Sequence, residues 1–252
     1  MVRIQKLLAS WGIASRRSIE KYIEEGRIAV NNEILSEKGF SIDENNIPTI
    51  KLDGKVITPP KKTEYTILVF NKPKLVITSL KDEQGRCSVS DYLPKDKRLY
   101  PVGRLDYDST GLLLITDYGE LTNRLLHPSY KVAKEYVVKI QGQLLTSDEL
   151  KNFASGIELE DGMTAPCIIK PHKATNTYSV IIKEGRKRQV RRMFDYFGRK
   201  VINLHRIAFG PIKLGNLQSG KLRPVTQEER KALLKATNLL ATHALQETLP
   251  KP

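Results

Sequence analysis

Apolar residues recur along the first sixty positions at helical intervals and then at the intervals of short strands. Ile4, Leu7, Leu8 and Trp11 mark one short helix closed by Gly12. Ser15 is placed to cap a second, whose stripe is Ile19, Tyr22 and Ile23 and whose end is Gly26. Arg27 to Val30 and Glu33 to Leu35 flank Asn31-Asn32, and Ile50 to Leu52 and Lys55 to Ile57 flank Asp53-Gly54. Both central pairs accept positive φ, so two hairpins are predicted. Pro59-Pro60-Lys61-Lys62 then interrupts the pattern, because adjacent prolines continue neither a helix nor a central strand. The expected organisation is a small domain over 1–60, a linker over 61–65, a larger mixed body over 66–235, and a C-terminal helix and tail over 236–252.

Within the larger body, Tyr65 to Phe70 reads as a buried strand ended by Lys72-Pro73, with Val76-Ile77 as a short continuation. Leu112 to Thr116 is a central strand. Asp117 followed by Glu120 predicts a capping box for a helix from Tyr118 to Leu126, stopped by Pro128. In Ala133 to Gly142, Tyr136, Val138 and Ile140 share one face of a strand. Val190, Met193, Phe194 and Phe197 fall at i, i+3, i+4 and i+7, the core stripe of an amphipathic helix that follows a strand over Tyr178 to Lys183. From Lys231 the chain reads as a peripheral helix with a frayed end.

Charge narrows the partners. The 252 residues carry 42 Lys+Arg against 28 Asp+Glu, a formal net charge of +14, which points to a polyanion. No apolar run approaches the roughly 20 residues that span a bilayer, and nothing resembles a signal peptide, so a cytoplasmic protein without a membrane partner is expected. Cys87 and Cys167 are isolated and the four histidines form no short-spaced pair, which argues against a disulfide framework and a metal site. The first two helices expose Arg3, Lys6, Arg16, Arg17 and Lys21, read as a phosphate-binding face.

Candidate chemistry concentrates in GRLDYDSTGLLLIT, Gly103 to Thr116, where Asp106 and Asp108 sit in a loop that delivers the chain into the buried strand. An Asx-turn acceptor is the plainest role for either. A glycosidase-like pair is another: side chains two apart in an extended loop place carboxyls about 6–7 Å apart, between the ~5–5.5 Å of retaining and ~6.5–9.5 Å of inverting enzymes. Geometry therefore leaves that pair open, while a chain at +14 is an odd host for a neutral sugar. A magnesium-dependent nucleotide switch at Asp108 to Gly111 needs a phosphate-cradling GxxxxGK[ST] loop, and the chain has none. A lone nucleophile is the third reading. Further on, Arg186, Lys187, Arg188, Arg191 and Arg192 crowd a strand-to-helix turn where positive charge opposes the helix dipole, so anions are expected to meet them there.

Two resemblances extend these readings. EEGRIAVNNE, Glu24 to Glu33, is similar to the signature of the small RNA-binding domain of ribosomal small-subunit protein four, with Asn32 where glycine is common. GRLDYDSTGLLLIT, AKEYVVKI and EGRKRQVRRMF, with NKP before them and LGNLQSGKLRPVT after them, resemble the RsuA/RluB family of ribosomal RNA pseudouridine synthases. The resemblance implies an α+β protein: an N-terminal RNA-binding domain followed by a catalytic domain on a mixed, mainly antiparallel sheet with a central cleft. It implies base flipping and isomerisation of uridine to pseudouridine without a cofactor, by a monomer acting on ribosomal RNA. Asp106 matches the essential aspartate, Tyr136 the tyrosine that stacks on the target base, and Arg191 the arginine that pairs with that aspartate. Arg104 is implied in RNA contact or in filling the gap left by the flipped base. The large-subunit, RluB-type members are the nearer match; a small-subunit enzyme of RsuA type and a non-catalytic assembly factor are the alternatives. Leu75 stands where the family commonly has glycine, which puts the backbone of that loop in question.

Overall fold

The computed structural model describes residues 1–37, 39–60, 64–80 and 82–240. The expected linker falls largely outside the described residues, at 61–63, and the expected tail does so from 241 onward. The chain divides into two compact units, one ending at Tyr65 and one starting at Thr66.

The first unit comprises β1 (Val2–Arg3), α1 (Ile4–Ser10), α2 (Arg16–Glu24), β2 (Ile28–Val30), β3 (Glu33–Ile34), β4 (Ser41–Ile42), β5 (Ile50–Leu52) and β6 (Lys55–Ile57). Ser15 caps α2 by accepting from the Ser18 N–H at 2.9 Å. Asn31 (φ +49°) and Asn32 (φ +72°) turn β2 into β3, and Asp53 (φ +50°) and Gly54 (φ +76°) turn β5 into β6. These are the paired positive φ values that a two-residue hairpin requires. The four strands form one antiparallel sheet in the order β3-β2-β5-β6. Ile4, Leu8 and Ile19 are wholly buried in the core of this unit, each contributing about 1.5–3 kcal/mol of apolar burial. Arg27 fastens the second hairpin, with Nε and Nη2 each 2.8 Å from the Asp53 carboxylate and the guanidinium stacked 4.2 Å over the Tyr22 ring.

The second unit is built on a nine-stranded sheet. Its strands are β7 (Ile67–Lys72), β8 (Tyr100–Pro101), β9 (Thr110–Thr116), β10 (Lys134–Gln141), β13 (Ile168–Pro171), β14 (Thr177–Ile182), β15 (Lys200–Phe209), β16 (Ile212–Lys213) and β17 (Leu222–Pro224). The main path runs β13-β14-β10-β15-β9-β7-β17, with β8 on β9 and β16 on β15. Its pairs are antiparallel except β9 with β15, which run parallel. Around it lie α3 (Gly119–Leu126), α4 (Ser147–Ser155), the β11 (Glu158–Leu159) and β12 (Gly162–Met163) hairpin, α5 (Gln189–Tyr196) and α6 (Gln227–Ala236). Val190, Met193 and Phe194 of α5 enter the core beside Tyr178 and Phe153, as their spacing predicts. Among the described residues no helix is long and apolar enough to cross a membrane.

Four local expectations are corrected. The first strand of this unit is Ile67–Lys72 rather than Tyr65–Phe70, and Lys72 is its wholly buried last residue. Val76-Ile77 does not continue it; Ile77 makes a single bridge to Ser88. Asp117 does not cap α3. Its Oδ1 accepts from the Thr66 N–H at 2.9 Å, tying the start of the unit to the end of β9, and the N-cap residue Tyr118 makes no side-chain cap bond. The C-terminal helix begins at Gln227 rather than Lys231, held by a Thr226–Glu229 capping box, and buries Leu233 and Leu234; the end expected to fray lies outside the described residues.

Candidate active site

The loop that carries Asp106 is held on both sides of that residue. Upstream, Thr78 Oγ1 donates to the Leu105 carbonyl at 2.7 Å and accepts from the Leu105 N–H at 3.2 Å. The Leu75 N–H donates to the Tyr107 carbonyl at 2.8 Å. Leu75 is at φ +63°, in the left-handed backbone that glycine adopts most readily, so a residue with a Cβ holds a conformation that suits glycine there. Downstream, basic side chains from other elements take up one position after another. Arg188 Nη1 and Arg191 Nη2 lie 3.3 and 3.1 Å from the Asp108 carboxylate. Lys72 Nζ donates to the Ser109 carbonyl at 2.8 Å and Arg191 Nη2 to the Ser109 hydroxyl at 3.3 Å. His205 Nδ1 and Thr110 Oγ1 share a hydrogen bond of 2.8 Å, and Arg206 Nε donates to the Leu112 carbonyl at 2.6 Å.

Between these anchors the Asp106 carboxylate is half-buried and, among the described residues, makes no hydrogen bond or ion pair. Arg191, expected to pair with Asp106, makes its ion pair with Asp108 here and also reaches the Val201 carbonyl at 3.0 Å, while Asp106 acts on it through its charge. Asp108 in turn is more than a turn-former, since it carries two arginines of the α5 entry. Arg188 opens that helix at φ +51°, a strained conformation maintained where its guanidinium meets Asp108.

Strand register assembles the rest. Lys72 faces Gly111, Gly111 faces Arg206, Arg206 faces Tyr136, and Tyr136 faces Val180, so residues from β7, β9, β15, β10 and β14 form one row across the sheet. Tyr136 is buried in the core of this unit with Leu105, Leu113 and Leu204. Gly111 is obligatory in the row: a Cβ there would lie 2.3 Å from the Arg206 carbonyl oxygen, and its φ is +102°.

Two lysines beside the site are pushed down by burial, each to about 8. For Lys72 the charges of Asp106 and Asp108 oppose the shift. For Lys134 the neighbouring Arg206 adds to it and Glu184 opposes it. Burial also lowers Arg191, with Asp108 working against it.

The remaining expected residues separate into two groups. Arg3, Lys6, Arg16, Arg17 and Lys21 are exposed on the first unit, Lys21 pairing with Glu25 at 3.5 Å. Arg104 and Lys187 are exposed as well. Arg186 and Arg192 are engaged within the protein. Arg192 grips Asp161 in a fork at 2.8 and 2.9 Å, and Arg186 binds the Gly162 and Met163 carbonyls, so the pair clamps the β11–β12 hairpin to the start of α5. The hydrogen bond to Arg192 holds the Asp161 carboxyl down at about 2. Lys72, Arg206 and His205 were not singled out from the sequence. Their signal was a charge at a buried position of a strand: Lys72 closes the apolar run ILVF, and Arg206 alternates with Leu204 on the inward face.

The row with Lys72, Arg206 and Tyr136 and the pinned loop that carries Asp106 belong to one unit. Residues 66–196 match the family described as RNA pseudouridylate synthase, and residues 2–47 match the S4 domain. The chain belongs to the RNA pseudouridylate synthase family, and its class is isomerase. An uncharacterized RNA pseudouridine synthase of Aquifex aeolicus is 43% identical over 244 residues, covering 94% of this chain and 96% of that protein. Ribosomal large subunit pseudouridine synthase B of Bacillus subtilis is 38% identical over 239 residues, covering 92% and 96%. A crystal structure of a pseudouridylate synthase superposes with a TM-score of 0.66 at 28% identity, over 92% of this chain and all of that one.

Proposed function

We propose that this protein isomerises a specific uridine of large-subunit ribosomal RNA to pseudouridine, with Asp106 acting at the sugar of a nucleotide flipped out of its stack. The observation that carries this reading is the Asp106 carboxylate itself, unpaired in a loop whose flanking residues are all bonded. A carboxylate left without a partner is available either to add to the anomeric carbon or to take a ribose proton and leave a glycal. Either course breaks the bond between C1′ and N1, lets the uracil turn, and rejoins C1′ to C5. The proton lost from C5 balances the one gained at N1, so the reaction needs no cofactor and no energy input. Tyr136 holds the uracil by stacking and helps to remove the C5 proton. Arg191 and Lys72 act by fixing the loop.

The target atom is inaccessible in a stacked helix, and flipping costs a few kcal/mol. Phosphate contacts offset that cost. Arg3, Lys6, Arg16, Arg17 and Lys21 on the first unit, with Arg104, Lys187 and Arg188 on the second, are the basic groups proposed to make them. The large-subunit assignment is supported by the Bacillus subtilis relative, named for the large subunit. The protein is read as a cytoplasmic monomer that acts on ribosomal RNA or an assembling subunit. Mapping pseudouridines in ribosomal RNA from cells with and without the protein tests the proposal. One missing pseudouridine in the large-subunit RNA is expected, and a loss confined to the small subunit would reassign the substrate.

A further inference from the structure

Arg206 is a buried cation without an anion. It is 4% exposed, its Nε serves the Leu112 carbonyl, and its Nη2 is fully enclosed with no hydrogen-bond partner. Among the described residues no carboxylate pairs with it. Its guanidinium lies 5.0 Å from the Phe209 ring, and Lys134 Nζ lies 5.5 Å from the same ring, so the charge it meets across that ring is repulsive. Enclosing a charge with a donor unmet is costly unless something arrives to meet it. The bond to Leu112 gives no reason for a guanidinium in particular, since a single donor would satisfy that carbonyl.

The register says what arrives. Arg206 and Tyr136 are directly opposed on adjacent strands and share the buried face with Leu204 and Val138, which are themselves opposed. Opposed side chains of an antiparallel pair start with their Cβ atoms about 4.5–5.5 Å apart. A base stacked on Tyr136 therefore lies within reach of the Arg206 fork. When the bond between C1′ and N1 breaks, its electron pair departs with the uracil, and the charge spreads over N1, O2 and O4. A preorganised donor aimed where charge develops is worth most in a site shielded from water.

We propose that Arg206 is a catalytic residue that donates to a carbonyl oxygen of the departing uracil and stabilises its negative charge, keeping its own proton throughout. The inference rests on the proposed function above. Its test compares unmodified protein, Arg206→Met and Arg206→Lys on two RNAs made with uridine or with 6-azauridine at the modified position. The ring nitrogen makes the second base more acidic and leaves C5 free to rejoin. Conversion of N-glycoside to C-glycoside is followed in a single turnover by chromatography of the digested nucleosides, and RNA affinity and thermal unfolding are measured alongside.

With Arg206→Met the expected loss is at least a hundredfold on uridine and tenfold or less on 6-azauridine, with affinity for RNA within a few-fold. Arg206→Lys should fall between, with the same ordering, and it carries the test if the methionine variant does not unfold cooperatively. Equal losses on both RNAs, or a rate within threefold of the unmodified protein, would overturn the assignment while leaving the proposed function standing. Absence of conversion by the unmodified protein would overturn both.

Discussion

Arg191 Nη2 lies 3.1 Å from Asp108 Oδ2, and the arginine side chain is 6% exposed against 36% for the aspartate. The ion pair thus serves the inner partner more than the outer one. Asp108→Ala would leave a buried guanidinium short of its anion, and a drop in unfolding free energy of about 1–3 kcal/mol is expected in urea titration. Asp106→Asn breaks no bond within the protein and should stay within about 0.5 kcal/mol. The reverse order would contradict the pairing.

Activity should sort the same two residues in the opposite sense. Asp106→Asn is expected to form no pseudouridine while binding RNA within a few-fold of the unmodified protein, as read by nucleoside analysis and filter binding. Asp108→Ala should remain measurably active, since it loosens the loop without removing the reacting group. Comparable abolition by both would restore a two-carboxylate mechanism.

Leu75 occupies a left-handed conformation that costs a residue with a Cβ about 1–2 kcal/mol. It is 57% exposed, so little burial is lost with its side chain. Leu75→Gly removes the strain and adds about 0.5–1 kcal/mol of unfolded-state freedom. The variant should therefore be as stable as the parent or up to about 1 kcal/mol more so by thermal unfolding, and fully active. Leu75→Val, branched at Cβ, should be less stable than either.

Lys72 gives a pH signature with a definite sign. Below about 8 the folded and unfolded chains both hold the ammonium, and its burial is a constant cost. Between there and the ordinary lysine value of about 10.4 the unfolded chain binds more protons, so this group's contribution to unfolding free energy rises with pH. Urea titrations at pH 7.5 and 10 should show the unmodified protein gaining on Lys72→Met by on the order of 2 kcal/mol. Lys134 titrates in the same range but is common to both proteins and cancels.

What the sequence revealed was local or periodic. The Asn31-Asn32 and Asp53-Gly54 turns, the Ser15 cap and the α5 stripe all depend on residues within a few positions of one another. Asp117 shows where such reading fails: the capping pattern was present, but a backbone donor 51 residues away, Thr66, took the carboxylate instead. The same distance effect hid the partners of the arginines. Arg191 and Asp108 are 83 positions apart, Arg192 and Asp161 are 31 apart, and nothing between them codes for which acid meets which base. Arg206 was hidden differently, because a charge within an apolar strand reads as an edge until register places it beside Tyr136.

The parallel pairing of β9 with β15 also orders events in time. Thr110 and Gly111 meet His205 and Arg206, so the row holding Tyr136 closes only when the strand ending at Phe209 arrives. Chains fold from their N-terminus as they are made, at roughly 5–20 residues per second. The first unit, complete by Tyr65 and matching the S4 domain, would thus emerge many seconds before the row that holds Tyr136 closes.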